Sequence, residues 1–122
     1  MFILLFSGCI SDNFRYTPSP RGEWQDENNE NRITFTNVSV TVADIYMDTD
    51  FFNGQSPPNG NIKRHCVFER LIGRDTNPIV GLVIYPKPSS KLPEAELEVV
   101  SYIPESYMTL TDGRITITFY KQ

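Results

Sequence analysis

The chain has 122 residues, a formal net charge of −4 at pH 7 and an isoelectric point near 4.9. A chain of this length fits one domain, which can bury most of its unfolded surface without a metal or a disulfide. The negative charge argues against a broad nucleic-acid surface, because affinity for phosphate backbones comes mainly from clustered lysine and arginine. Eight phenylalanines, six tyrosines and one tryptophan indicate a folded core in at least part of the chain.

The chain begins with an uncharged apolar stretch that ends in small residues. Its end, Phe6-Ser7-Gly8-Cys9, resembles the lipobox of bacterial lipoproteins, in which the cysteine becomes the acylated first residue of the mature chain. The resemblance implies that residues 1–8 are a truncated signal-like segment and that Cys9 carries a membrane anchor. Ile10 after that cysteine implies sorting to the outer membrane of the cell envelope, facing the periplasm. The alternative is an apolar first strand at residues 2–6.

Residues 9–31 are polar and interrupted by prolines, which predicts a tether followed by a polar loop. Residues 32–122 are expected to form a single β domain. Cys66 is the second of two cysteines. If Cys9 is acylated, we expect Cys66 to be unpaired and buried as a small apolar residue, and a disulfide between the two is the alternative.

Apolar residues alternate with polar ones through residues 32–47 and again through residues 62–72. The first region predicts two strands, or one bulged strand, because the alternation slips at Thr36-Asn37. The second predicts a strand with one wet face. Between them, residues 48–61 are rich in turn formers and predict a long loop.

Two further strands are expected before the C terminus. Residues 79–85 are continuously apolar, which predicts a strand covered on both faces at the centre of the core. Residues 94–103 have strand composition, with a helix that starts after Pro93 as the alternative.

The last predicted element is a hairpin at Asp112-Gly113, a dipeptide that favours a two-residue type I′ turn. That turn would place Leu110 opposite Ile115 and Met108 opposite Ile117. The sequence therefore predicts an all-β fold, a small antiparallel sandwich or partly open barrel of six to seven strands with a C-terminal hairpin.

Catalytic and metal-binding residues are not predicted. His65 is the only histidine, and Cys66 beside it would point to the opposite face of a strand, so the two cannot act as base and nucleophile. A zinc site needs three or four convergent ligands, which one histidine and one spare cysteine do not supply. We therefore expect neither an enzyme nor a cofactor.

The remaining candidate is a protein-binding patch that combines two aromatic loop residues with a group of cations. Coverage of the core by the two phenylalanines is the alternative. The candidate residues are Phe51, Phe52, Lys63, Arg64, Arg70 and Arg74.

Three functions follow as hypotheses. In the first, a lipid-anchored envelope protein binds another envelope or secreted protein, as an assembly component or as an inhibitor of the immunity-lipoprotein kind. In the second, a small barrel binds an apolar ligand, since Gly22-Glu23-Trp24 resembles the lipocalin pattern. The third is a small hydrolase with His65 in a cleft. Interior volume separates the first two, because a ligand-binding barrel needs a continuous apolar cavity of about 300 Å³ or more.

Overall fold

The computed structural model of the protein describes residues 16–51, 61–73 and 76–122. Eight antiparallel strands follow one another in space as they do in the chain, and β8 returns to pair with β1, so the sheet closes into a barrel. The strands are β1 (Gly22–Gln25), β2 (Arg32–Thr36), β3 (Val42–Asp48), β4 (Arg64–Arg70), β5 (Ile79–Tyr85), β6 (Ala95–Ile103), β7 (Tyr107–Thr111) and β8 (Thr116–Lys121).

The all-β, antiparallel prediction is confirmed, but the strand count and the closure of the sheet differ from it. The unexpected strand is β1, which lies in the segment expected to be a tether and a polar loop. Trp24 is the only fully buried residue of this four-residue strand, so the alternation is too short to stand out from its polar surroundings. Residues 1–15, with the signal-like segment and Cys9, lie outside the described residues.

The core fills the inside of the barrel with the inward-facing side chains of alternate residues. Every strand contributes to it, and the loop residue Phe51 joins it from one end. Its members are Trp24, Ile33, Phe35, Ala43, Ile45, Met47, Phe51, Cys66, Phe68, Ile79, Leu82, Ile84, Leu97, Met108, Leu110 and Phe119.

The predictions for the middle of the chain hold at the level of strands. Residues 32–47 form two strands, β2 and β3, and the turn between them begins at Asn37, whose φ is 50°. Strand β6 confirms the strand prediction for residues 94–103. It contains a bulge at Val100 that leaves this side chain exposed, and such bulges supply the bend that a closing sheet needs.

Strand β5 is buried on both faces along most of its length, as its apolar run predicts. Gly81 and Val83 face outward, yet both are buried. Gly81 is covered by the carboxylate of Glu69 on the neighbouring strand, and a Cβ atom at this position would collide with that group. The outer cover of β5 therefore comes from side chains of its own sheet and needs no second layer.

The predicted register of the C-terminal hairpin is wrong by two residues. Leu110 pairs with Ile117 and Met108 with Phe119, so the loop has four residues, 112–115. The Asp112 carboxylate closes this wider loop, since its Oδ1 accepts hydrogen bonds from the backbone N–H groups of residues 114 (2.8 Å) and 115 (2.9 Å). A shift of two leaves the same side chains facing the core, which is why the burial prediction survives the error.

The Asp112 loop predicts a pH effect on stability. Burial alone would raise the pKa of Asp112, but hydrogen bonds from the backbone of Ile115 and Arg114, together with the Arg114 charge, lower it below 3.8. A lowered pKa in the folded state stabilises the protein at pH values above the ordinary pKa of the group. This stabilisation is lost as the pH falls through the folded-state pKa. We expect wild type to exceed Asp112→Asn in unfolding free energy at pH 6, with the gap shrinking below about pH 4. Urea titrations across this range would measure it, and a constant gap would contradict the assignment.

Residues 16–21 form a strap across one end of the barrel, which we call the strap end. Thr17 N–H donates to the Thr76 carbonyl (2.6 Å), and Ser19 Oγ donates to the Ser39 carbonyl (2.8 Å). On the other side, the Tyr102 hydroxyl donates to the Pro18 carbonyl (2.6 Å). Burial and the Glu105 charge raise the pKa of Tyr102 to about 12, so this donor keeps its proton.

The opposite end of the barrel, the far end, is closed by loop residues. Phe51 packs toward Phe119 with ring centroids 6.2 Å apart. The backbone N–H of Asp50 donates to the Asn31 Oδ1 (2.9 Å), and the Arg114 guanidinium donates to the Asp50 carbonyl (2.7 Å). Described loop residues therefore contribute to the cover of both ends of the barrel.

Candidate functional site

The described residues of the predicted protein-binding patch do not form one surface. Arg64 is the first residue of β4 and Arg70 the last, so they lie at opposite ends of the barrel. Six steps along a strand separate them by about 20 Å. Lys63 is exposed at the far end, beside Arg64.

The aromatic part of that patch divides as well. Phe51 is buried in the core, as in the alternative considered above, so its ring is not available to a partner. Phe52 and Arg74 lie outside the described residues. Of the predicted patch, Lys63 is exposed, and the contributions of Phe52 and Arg74 stay predictions.

Arg64 occupies an inward position of β4 and is buried. Its Nε donates to the Glu94 Oε1 at 2.7 Å, and Nη2 reaches Oε2 at 3.5 Å. The Glu94 side chain is about one third exposed, so the pair lies where the barrel interior meets water at the far end. This arginine is a structural group of the barrel wall.

Arg70 also has a structural environment, at the strap end. Its guanidinium donates to the carbonyls of Val40 (3.0 Å) and Asn77 (2.7 Å) and to the Ser19 Oγ (2.9 Å). The same group lies 5.3 Å from the centre of the Tyr16 ring. Burial lowers the pKa of Arg70, which remains a cation at neutral pH because arginine starts from so high a value. Arg70 thus joins the strap to two loops.

His65 lies on the outer wall of the barrel, with its ring 6.3 Å from that of Tyr85. The register places Asp44 and Tyr85 beside it, and neither neighbour is the serine that the hydrolase hypothesis requires. Cys66 points inward, and burial raises the pKa of its thiol far above the ordinary value. The two residues occupy opposite faces of β4, as the strand pattern predicts. The disulfide alternative involves Cys9, which lies outside the described residues.

Within the part of the chain that the structure describes, three or more histidine, cysteine or carboxylate side chains nowhere converge as a metal site would need. Nor does any helix of these residues have the length and apolar character to cross a membrane.

The barrel interior is filled by its own side chains. Five core side chains on different sides of the barrel have no surface accessible to water. They are Ile33, Ile45, Leu82, Ile84 and Leu110. An apolar cavity of ligand size would leave the side chains around it partly accessible, because a space of about 300 Å³ holds several water molecules. Around these five described side chains, the packing leaves no space of the size that a lipocalin-type ligand needs.

The structure shows two surface features that the sequence pattern does not reveal. At the strap end, exposed apolar side chains gather on the strap and on the loops that it contacts, namely Tyr16, Val40, Leu71 and Ile72. On the barrel wall, a groove of about 360 Å³ runs beside the first half of β8 and is lined by Asp26, Glu27, Thr116, Ile117, Thr118 and Tyr120.

Comparisons with protein-family models, with curated proteins and with solved structures found no match to this chain.

Proposed function

We propose that this protein is a lipid-anchored protein of the bacterial cell envelope that binds another protein through its outer surface and catalyses no reaction. The filled, closed barrel is the observation that carries the proposal. Since the described interior is packed with its own apolar side chains, we expect a partner to bind on the outside. The partner is an envelope or secreted protein, with assembly and toxin inhibition as the two roles that fit a small binding domain.

The anchor in this proposal is Cys9, acylated after removal of residues 1–8, with Ile10 directing the protein to the outer membrane. The described chain starts at Tyr16, on the strap end of the barrel. Seven residue steps separate Cys9 from Tyr16, and a fully extended chain covers about 25 Å in that number of steps. An anchor at Cys9 would therefore keep the strap end near the bilayer.

The surface chemistry of the strap end supports this orientation. Val40, Leu71 and Ile72 are exposed there, and Ile72 has 73% of its surface accessible. Arg21, which is exposed, adds a cation in the surface pocket that Val40 also lines. Apolar side chains next to cations suit the headgroup region of a membrane, and the far end and the wall would then face the periplasm.

The anchor is tested by intact-mass spectrometry of the membrane fraction from cells that express the full gene. We expect a mature chain that begins at an acylated Cys9, and we expect a Cys9→Ala variant to leave the membrane fraction. A soluble wild-type product that retains residues 2–8 would contradict the anchor.

The binding role is tested with photo-cross-linking residues in the same cells, introduced at Leu92 on the far end and at Ile72 on the strap end. Both side chains are highly exposed, at 81% and 73%. We expect one discrete protein adduct from the cross-linker at Leu92, which faces away from the membrane. We expect lipid adducts from the cross-linker at Ile72. Stoichiometric binding of a fluorescent fatty acid, without any protein adduct, would favour the apolar-ligand hypothesis instead.

A further inference from the structure

Strand β8 has more residues than β1 can pair. The ladder between the two strands contains only two register positions, Trp24 with Lys121 and Gln25 with Tyr120. After Gln25 the chain turns away into the loop that leads to β2. Among the described residues, the first half of β8 therefore has β7 on one side and no strand on the other.

The hydrogen bonds show which backbone groups face that uncovered side. Lys121 N–H donates to the Ser106 carbonyl on the β7 side (2.9 Å). Gln122 N–H, one residue further, donates to a carbonyl of β1 (2.9 Å). Because the direction alternates along an antiparallel strand, Thr116 and Thr118 direct their N–H and C=O groups away from β7. These groups face the groove on the barrel wall and are a ready template for another strand.

The groove beside these groups carries negative charge. Asp26 and Glu27 line it together with residues of β8. The Asp26 carboxylate accepts hydrogen bonds from Asn31 and Glu30, which hold it in place, while Glu27 is exposed. A segment that enters the groove therefore meets a carboxylate next to the free backbone groups.

We propose that the first half of β8 is a docking site where an extended segment of a partner protein, carrying lysine or arginine, adds as a further antiparallel strand. Main-chain hydrogen bonds to Thr116 and Thr118 would supply affinity, and the cationic side chain would pair with Glu27. The inference rests on the proposed protein-binding function and names its surface and partner class. A second copy of the chain suits this edge poorly, because β8-to-β8 pairing would bring like carboxylates together.

The probes are a short synthetic peptide of alternating valine and threonine with interspersed lysines, and the same peptide with glutamate for lysine. Amide hydrogen exchange of the full-length protein is followed by NMR with each peptide. We expect the lysine peptide to slow exchange at the Thr116 and Thr118 amides by about tenfold or more, as new hydrogen bonds to them require, and the glutamate peptide to leave them unchanged.

Two variants at Thr118 separate backbone recognition from side-chain recognition. Thr118→Pro removes the N–H that faces the groove, whereas Thr118→Val keeps it, and both lose the 2.8 Å hydroxyl contact with Thr109. We expect Thr118→Pro to weaken binding by about tenfold and Thr118→Val to bind like wild type. Glu27→Lys is a separate variant on an exposed loop, so it tests the inference even if Thr118→Pro does not fold. We expect it to bind the glutamate peptide more tightly than the lysine peptide.

Four results would overturn the inference. Equal loss of binding in both Thr118 variants would show that the backbone is not recognised. Protection of the same amides that rises with protein concentration alone would identify a second copy as the occupant. Peptide-induced changes confined to the strap end or to the loop around Leu92 would place binding elsewhere, and the proposed protein-binding function would then stand without this site. Cross-linked protein adducts in cells, together with no binding of either peptide, would contradict this inference and leave the proposed protein-binding function standing.

Discussion

Replacing Trp24 by alanine is expected to lower the unfolding free energy by about 3–5 kcal/mol, a large part of the roughly 5–15 kcal/mol available to a domain of this kind. Trp24 is completely buried, and its ring lies 6.2 Å from that of Tyr102. Its Nε1 donates to the Arg21 carbonyl at 2.9 Å, at the point where the strap enters β1. The substitution would leave a cavity and would also release one end of the strap.

Urea unfolding followed by far-ultraviolet circular dichroism measures this effect, since Trp24 is the only tryptophan and its fluorescence is lost in the variant. Trp24→Phe keeps most of the buried volume and loses the indole N–H, so we expect an intermediate loss of about 1–2 kcal/mol. Leu92→Ala, at a side chain that is 81% exposed, is the control and should change stability by less than about 0.5 kcal/mol. A loss below about 1 kcal/mol for Trp24→Ala would contradict the packing described.

Removing one member of the Arg64–Glu94 pair is expected to be the second large effect. Glu94→Gln leaves the buried Arg64 guanidinium without its carboxylate, 2.7 Å away in the native protein. We expect a loss of about 1–3 kcal/mol, below the value for a fully buried pair because Glu94 is partly exposed to water. The measurement is the unfolding free energy at neutral pH and low salt.

The double variant Arg64→Met with Glu94→Gln tests the cause of that loss. It removes the buried charge together with its partner and leaves an apolar side chain at an inward position, so it should be more stable than Glu94→Gln alone. Glu105→Gln is the matched control. Glu105 Oε1 lies 3.3 Å from Lys121 Nζ, and the Glu105 side chain is 70% exposed. We therefore expect the unfolding free energy of this variant to change by less than about 1 kcal/mol. Equal stability of the double variant and Glu94→Gln would show that the loss of the Glu94 carboxylate beside the Arg64 charge is not what destabilises.

The candidate site could be predicted from the sequence only in part. The sequence shows that Arg64 and Arg70 are close along the chain, but not that a strand carries them to opposite ends of a barrel. It shows an aromatic pair in a loop, but not that Phe51 covers the core. The uncovered edge of β8 has no local signal, because it arises from the length of β1, which is distant in the chain.

The sequence by itself determined the class of fold and most of its strands. Alternating or continuous apolar residues identify β2 to β8 because a strand exposes its two faces with a period of two, which is a local property. The same reasoning assigned Cys66 and His65 to opposite faces of β4. The β-branched residues in the segment 94–103 also favoured a strand over the alternative helix.

Only the tertiary structure decided that the sheet closes, that β1 takes part and that the hairpin has a four-residue loop. Closure depends on pairing between β1 and β8, whose residues are separated by nearly the whole domain, and no local pattern specifies such a partner. The hairpin register follows from the Asp112 carboxylate, which binds two backbone N–H groups, and from the packing of Phe119 opposite Met108 in the core. The first half of β8, which no described strand covers on its β1 side because β1 is short, is where we expect a partner to bind.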